Sequence, residues 1–364
     1  MSPALRHVAA RFGLALSCLL PAAALAQGAK PVPLKVGFVF VSPVGEAGWT
    51  YQHQLGRLEM EKALGSRVVA RHVEGVAEGP ESERVIRDLA QQGVQLIFTT
   101  SFGYMEPTLR VARDFPAVKF EHMGGWKTAP NVATYNARFY EGRYLAGLVA
   151  GRMSKTGTAG YVAGFPVPEV VQGINAFALG MRAANPKAQL RVVWLNNWFD
   201  PARERDAAVT LVHQGADVIT HHSASTAAVQ AAEEQGVMSI PYHSDMRSLA
   251  PKGQLTAVTH HWGRFYTGVA QSVLDGRWSA SPAWGGLKDG MVQLAPFHPR
   301  VPPDVVALVR ARGQAIASGV FHPFSGRIVD NEGRQRLAGG EMDEAAISAM
   351  DYYVEGVVGA FPKR

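Results

Sequence analysis

The sequence predicts an α/β protein of two doubly wound lobes, each a parallel sheet covered by helices on both faces. Three observations carry this expectation. Short apolar runs alternate with amphipathic helical patterns from residue 34 to about 260, the spacing of successive βαβ units. The alternation runs through two sets, which implies two lobes of similar architecture, although no close internal repeat is visible. The chain has 364 residues, enough for two domains that each bury a core.

Residues 1–26 read as a removable Sec signal. Arg6 and Arg11 form its basic start, residues 14–20 its short apolar core, and Ala24-Leu25-Ala26 its small-residue cleavage site. The apolar run is too short to span a membrane, and Pro21 interrupts it. Cys18, the only cysteine, sits inside this segment in a poor context for acylation. Plain cleavage after Ala26 is therefore expected, with lipid anchoring at Cys18 the minority case, and the expected location is the periplasm. The processed chain would hold no disulfide and no thiolate metal site.

The first set of elements is a strand at 34–40, a helix at 51–64, a strand at 67–73, a helix at 80–92, a strand at 96–100 and a helix at 105–114. Shorter strands follow at 119–122 and 132–135, then a long helix at 140–153 with small residues on one face. The second set has strands at 158–163, 189–194, 218–221, 238–241 and 254–259, with helices at 170–185, 201–214 and 226–235. Beyond Trp262 the pattern loosens. It offers helices at 265–275, 303–318 and 343–357, and a hairpin around Asp330-Asn331-Glu332-Gly333, whose turn residues suit one.

The formal charge is +6, and loss of Arg6 and Arg11 leaves +4. No basic block or aromatic-interleaved basic stripe is present, so nucleic-acid binding has no support. No Gly-x-Ser-x-Gly elbow or His-Glu-x-x-His pattern occurs. The pairs His221-His222 and His260-His261 alternate across a strand and cannot easily share one ion. His122 has no patterned partner either, so no metal, cofactor or catalytic group is expected.

What the strand ends do carry is aromatic residues, and doubly wound sheets bind ligands past the carboxyl ends of their strands. Trp49 follows the first strand, after Gly45 and Gly48, whose freedom would let backbone approach a ligand. Phe102, Gly103 and Tyr104 follow the 96–100 strand, Tyr135 and Asn136 end the 132–135 strand, and Phe165 follows 158–163. Trp198 follows 189–194, and His222 ends the strand before it as a polar liner. Rings at so many strand ends suggest a flat ligand held by stacking; the alternative for several of them is core packing. Asp245 would accept from ligand N–H groups or cap a helix. Asp200, before Pro201, suits a helix N-cap.

These residues resemble the basic membrane protein family of ABC-transporter solute receptors, related to the purine nucleoside receptor lipoproteins. The likeness runs from Lys35 to about Pro362 and rests on Gly48-Trp49, Phe98-Thr99-Thr100-Ser101-Phe102-Gly103-Tyr104 and the segment Tyr135 to Gly147. It also rests on Asn197-Trp198-Phe199-Asp200-Pro201, Asp245 and Trp284 to Gly290. It implies the type I periplasmic binding protein fold, with two lobes joined by several crossovers near 135–138, 259–262 and 284–290. The N-terminal lobe would hold residues 34–136 plus about 260–288, the C-terminal lobe 137–259 plus about 289–364. Trp49 and Trp198 would match the aromatics that sandwich a purine, and Asp245 the aspartate that holds ribose hydroxyls. Two polar elements of the relatives are replaced here, one by Glu46-Ala47-Gly48-Trp49-Thr50-Tyr51 and a lysine by His260 or His261. The resemblance then implies a periplasmic receptor for a purine base, adenine foremost, closing by a hinge. It would act as a monomer and dock on an ABC permease in the inner membrane. The alternatives are a purine nucleoside receptor, a sensor subunit using the same closure, and, in another class, a secreted nucleoside hydrolase.

Overall fold

Val36, Phe38, Leu96, Ile97 and Phe98 are fully excluded from solvent, so successive residues of the same strands are buried on both faces, as in a sheet covered by helices on each side. The computed structural model describes residues 32–362. The expected signal segment and Cys18 lie outside the described residues.

The chain opens with β1 (Leu34–Val39), α1 (Trp49–Leu64), β2 (Val68–Val73), α2 (Pro80–Gln91), β3 (Leu96–Thr99), α3 (Met105–Asp114), β4 (Lys119–Met123) and β5 (Val132–Ala137). It continues with α4 (Phe139–Met153), β6 (Thr158–Ala163), α5 (Pro168–Ala184), β7 (Gln189–Trp194), α6 (Pro201–His213), β8 (Val218–His222), α7 (Ala227–Glu234) and β9 (Met238–Ser239). Then come β10 (Tyr242–His243), β11 (Val258–His260), α8 (Gly263–Leu274), β12 (Ala283–Gly285), β13 (Val292–Leu294) and α9 (Pro303–Ala317). The last elements are β14 (Ile328–Val329), β15 (Gln335–Leu337), α10 (Glu344–Ser348) and β16 (Val357–Val358).

Two parallel sheets organise these elements. One has the order β12-β5-β4-β3-β1-β2, the other β16-β7-β6-β8-β9, and every pairing within them is parallel. Strand order reverses at β1, which lies between β2 and β3, and again at β6, between β7 and β8. Those two reversals are where such sheets leave a crevice for a ligand. The chain leaves the first sheet between β5 and α4 and returns to it with β12; after β13 it runs on to β16 in the second sheet. A small sheet, β10-β11-β13, lies along this route. The two-lobed, multiply crossed fold is thus the one expected.

The small-residue face of the long helix has a clear purpose. A Cβ on Gly147 would meet the Phe177 carbonyl oxygen at 2.1 Å, one on Gly151 the Met181 oxygen at 2.3 Å, and one on Gly180 the Tyr144 oxygen at 2.0 Å. The glycines let the α4 and α5 backbones touch.

Two expectations change. Residues 254–257 are not strand; only β11 (Val258–His260) pairs regularly. The predicted helix over 343–357 stops at Ser348, and Val357–Val358 instead join the second sheet beside β7. Gly356 sits at φ 95°, outside helical space. Asn175 fixes the extended route by donating to the Tyr352 carbonyl (2.7 Å) and accepting from the Val354 N–H (3.0 Å).

Candidate functional site

The two sheet reversals meet at one cavity. From the first sheet come Val41 and Trp49 after β1, and Thr100, Ser101 and Phe102 after β3. From the second come Val167 and Glu169 after β6, Trp198 after β7, and His222, Ser223 and Ala224 at the end of β8. Met123 and His243 complete the wall, and the empty space is about 460 Å³, mouth included.

Each indole is held from behind. Trp49 Nε1 donates to the Thr100 carbonyl oxygen (2.8 Å). Its ring meets His53 edge-on at 4.5 Å and His243 at 5.2 Å, the tilted geometry that aromatic quadrupoles favour. Trp198 Nε1 donates to Glu78 Oε1 (3.1 Å). Phe165 braces that ring edge-on at 5.0 Å, and Gly164 makes room for it, since a Cβ there would lie 2.6 Å from the indole. Trp49 and Trp198 therefore line one cavity from opposite sheets.

The polar side of the cavity is a relay that crosses between the sheets. Asn136, on β5, donates from Nδ2 to Glu169 Oε2 (2.9 Å). The other carboxylate oxygen of Glu169 lies 3.6 Å from His222 Nε2. A carboxylate on that side favours the tautomer with its hydrogen on Nε2, which leaves Nδ1 with its lone pair. His222 Nδ1 and His243 Nδ1 are buried and have no protein partner. Burial pushes the His222 imidazole below the usual histidine range, against the opposing pull of Glu169. His243 is driven further down, by burial and then by the neighbouring His260, His222 and His221 rings and the Arg143 cation. Both rings are neutral at pH 7, and a neutral imidazole keeps one acceptor nitrogen. No lysine or arginine lines the cavity.

The remaining sequence-predicted residues are spread around this core. Gly103 holds the Glu78 carboxylate through its N–H (2.8 Å). Tyr135 lies under the site, bonded hydroxyl to hydroxyl with Tyr266 (2.9 Å). With Asn136 it lines a more open depression that shares Phe102 and Glu169 with the cavity. Tyr104 is a core residue whose hydroxyl donates to the Val76 carbonyl (2.6 Å). Asp245 does not line the cavity either: it is exposed and accepts from the Arg247 N–H and from Gln254 Nε2. It caps its own turn, while the preceding Ser244 faces Gly48. His260 is buried in the aromatic cluster behind Trp49, with neither ring nitrogen partnered. Asp200 accepts from the Arg203 N–H as the N-cap of α6. The Gly48 backbone approaches the other lobe, where a Cβ would meet the Ala224 carbonyl oxygen at 2.4 Å, rather than a ligand.

Sequence reasoning did not place Glu169 and His243 in the cavity wall. His243 had one signal, its place in Tyr242-His243-Ser244 after a strand end. Glu169 lies at the start of a helix, where an acidic residue is unremarkable. Among the described residues, no group of three or more His, Cys, Asp or Glu is placed to hold a metal.

A family model for PnrA-like ABC transporter substrate-binding proteins, Bmp, matches residues 34–312. The chain belongs to the Bmp family. A purine-binding protein of Brucella abortus is 49% identical over 331 residues, 91% of this chain and 94% of the relative. A protein of Haloferax volcanii named for glucose binding in an ABC transporter is 37% identical over 329 residues, 90% of this chain and 81% of its own. Among solved structures, an ABC-transporter solute-binding protein of Aeropyrum pernix K1 superposes with a TM-score of 0.70 at 19% identity, covering 87% of this chain and 96% of that one. The Bmp fold is thus shared well beyond sequence similarity. No helix among the described residues of this Bmp protein is long and apolar enough to cross a membrane.

Proposed function

We propose that this chain is the periplasmic receptor of an ABC importer and binds a free purine base, adenine, between Trp49 and Trp198. The observation that carries the reading is the pairing of two braced indoles with an acceptor edge, Glu169 and the unpartnered His222 Nδ1, in one cavity. Indoles suit a flat π-faced ligand. The acceptors suit a ligand edge that offers N–H groups, and adenine carries the exocyclic N6 amino group where 6-oxopurines carry a carbonyl oxygen. A carbonyl against that edge would set acceptor on acceptor. The absence of a cation among the lining residues favours a neutral ligand. The purine-binding relative at 49% identity supports the same class.

Asp245, the residue expected to hold ribose, lies outside the cavity, which favours the base over the nucleoside. The chain then delivers its ligand to a membrane permease as a monomer and performs no chemistry on it.

The test is calorimetric titration with adenine, hypoxanthine, guanine, adenosine, glucose and amino acids, alongside thermal shift. Adenine should bind most tightly and raise the melting temperature most. A stronger response to glucose or an amino acid, with none to purines, would overturn the ligand assignment. Release of free base from adenosine by the purified protein would replace the receptor with a hydrolase.

A further inference from the structure

We infer that Glu78 is the positioning residue that latches the closed cleft, coupling Trp198 of one lobe to the β3 loop of the other; the inference rests on the receptor reading above. Glu78 lies in the β2–α2 loop and is absent from the cavity wall. Its Oε1 accepts three hydrogen bonds: from Ser101 Oγ (2.6 Å), from the Gly103 N–H (2.8 Å) and from Trp198 Nε1 (3.1 Å). The first two partners belong to the lobe that carries Glu78. The third is the ligand-facing indole of the other lobe, 120 residues away.

This arrangement has a direction. The Ser101 and Gly103 bonds lie within one lobe and can persist when the cleft opens. The Trp198 bond spans the cleft and exists only when it is shut. Glu78 is thus held ready by its own lobe, and closing completes it. A carboxylate accepting an N–H is among the stronger neutral-to-charged bonds. An interaction made only in the closed state shifts the population towards closure and so tightens the apparent affinity. The same bond fixes the rotation of the Trp198 ring, and with it the face offered to a planar ligand.

Gly103 gives the latch a second handle. A Cβ at Gly103 would lie 2.3 Å from Glu78 Cδ and 2.4 Å from Oε2. Its φ is not positive, so alanine suits the backbone there. The one group it displaces is the Glu78 carboxylate. Gly103→Ala should therefore disable the latch from a position that touches neither Trp198 nor the ligand.

The experiment is calorimetric titration and stopped-flow release of adenine for wild type, Glu78→Ala, Glu78→Gln, Gly103→Ala, Trp198→Phe and the doubles Glu78→Ala/Trp198→Phe and Glu78→Ala/Gly103→Ala. Trp198→Phe keeps a ring and removes the N–H. Glu78→Ala, Gly103→Ala and Trp198→Phe should each weaken binding about tenfold, mainly through faster release. Each double should be little worse than Glu78→Ala alone, the non-additivity of one shared interaction. Glu78→Gln keeps an acceptor and should recover part of the loss. Unchanged affinity and release in Glu78→Ala, or fully additive losses in both doubles, would overturn the latch. If wild type takes up no adenine, the purine reading fails rather than the latch. The same variants are then titrated with whichever nucleoside, sugar or amino acid of the panel raises the wild-type melting temperature most.

Discussion

At the residue scale, the site works through rings that the shut form holds from behind. Trp49 and Trp198 each spend their N–H on an oxygen behind them, Thr100 and Glu78 respectively, so what they offer the cavity is ring surface. Trp49→Ala or Trp198→Ala should weaken adenine binding by about 1–3 kcal/mol, the usual worth of a base–aromatic stack, read by calorimetry. The buried histidines make a separate prediction about acid. Burial holds His53, His122 and His221 down to about 3, from an ordinary value of 6.5. Between those limits the unfolded chain binds protons that the native chain refuses, so stability rises with pH and is lost as pH falls. The melting temperature should therefore drop steadily below pH 6.5, as stability falls by at most about 1.4 kcal/mol per pH unit for each ring. A melting temperature flat down to pH 4 would show that these rings protonate in place. That Trp49 and Trp198 line one cavity was legible in the sequence because they follow strand ends, where a doubly wound sheet leaves its crevice. Glu78 was not, because its partner lies far along the chain and no spacing rule connects them. Asp245 accepts instead from its near neighbours Arg247 and Gln254, and its residue type alone had left a ligand contact and a turn cap open.

At the element scale, α4 and α5 hold the second lobe together through backbone contact at Gly147, Gly151 and Gly180. α5 also starts at Pro168, beside Glu169, so its placement sets the polar edge of the cavity. Gly180→Ala would force a methyl against the Tyr144 carbonyl. It should cost about 1–3 kcal/mol of stability, seen as a drop of several degrees in thermal unfolding. An unchanged melting temperature would mean the helices can part without loss. The alternation of strands and helices through residue 243 was legible because each element carries its own period, and burial on both faces makes the strands read as continuous apolar runs. The C-terminal segment was not. Residues 349–358 follow a path set by Asn175, Gly356 and pairing to β7, and those constraints come from distant parts of the fold.

At the scale of the whole molecule, the contacts that span the cleft among the described residues include Glu78 with Trp198, Asn136 with Glu169, and Gly48 and Gln52 with Ser244. Ligand should shift the molecule towards this shut form, measurable as a smaller radius of gyration in solution scattering. At a hundredfold excess over the dissociation constant it should also add about 2.7 kcal/mol of stability. Scattering that stays unchanged on saturation would argue against hinge closure as the response to ligand.

The Gly48 contact differs in kind from the pairs made side chain to side chain. Its main chain comes up against the carbonyl of Ala224, and its N–H and carbonyl both engage the Ser244 hydroxyl. A rim fastened by one loop's peptide groups to a serine hydroxyl carries little information about what it encloses. The cargo can then be changed by recutting the inner walls at Val41, Met123 or His243 while the jaw keeps its bite, so selectivity and grip are free to diverge along separate lines of descent.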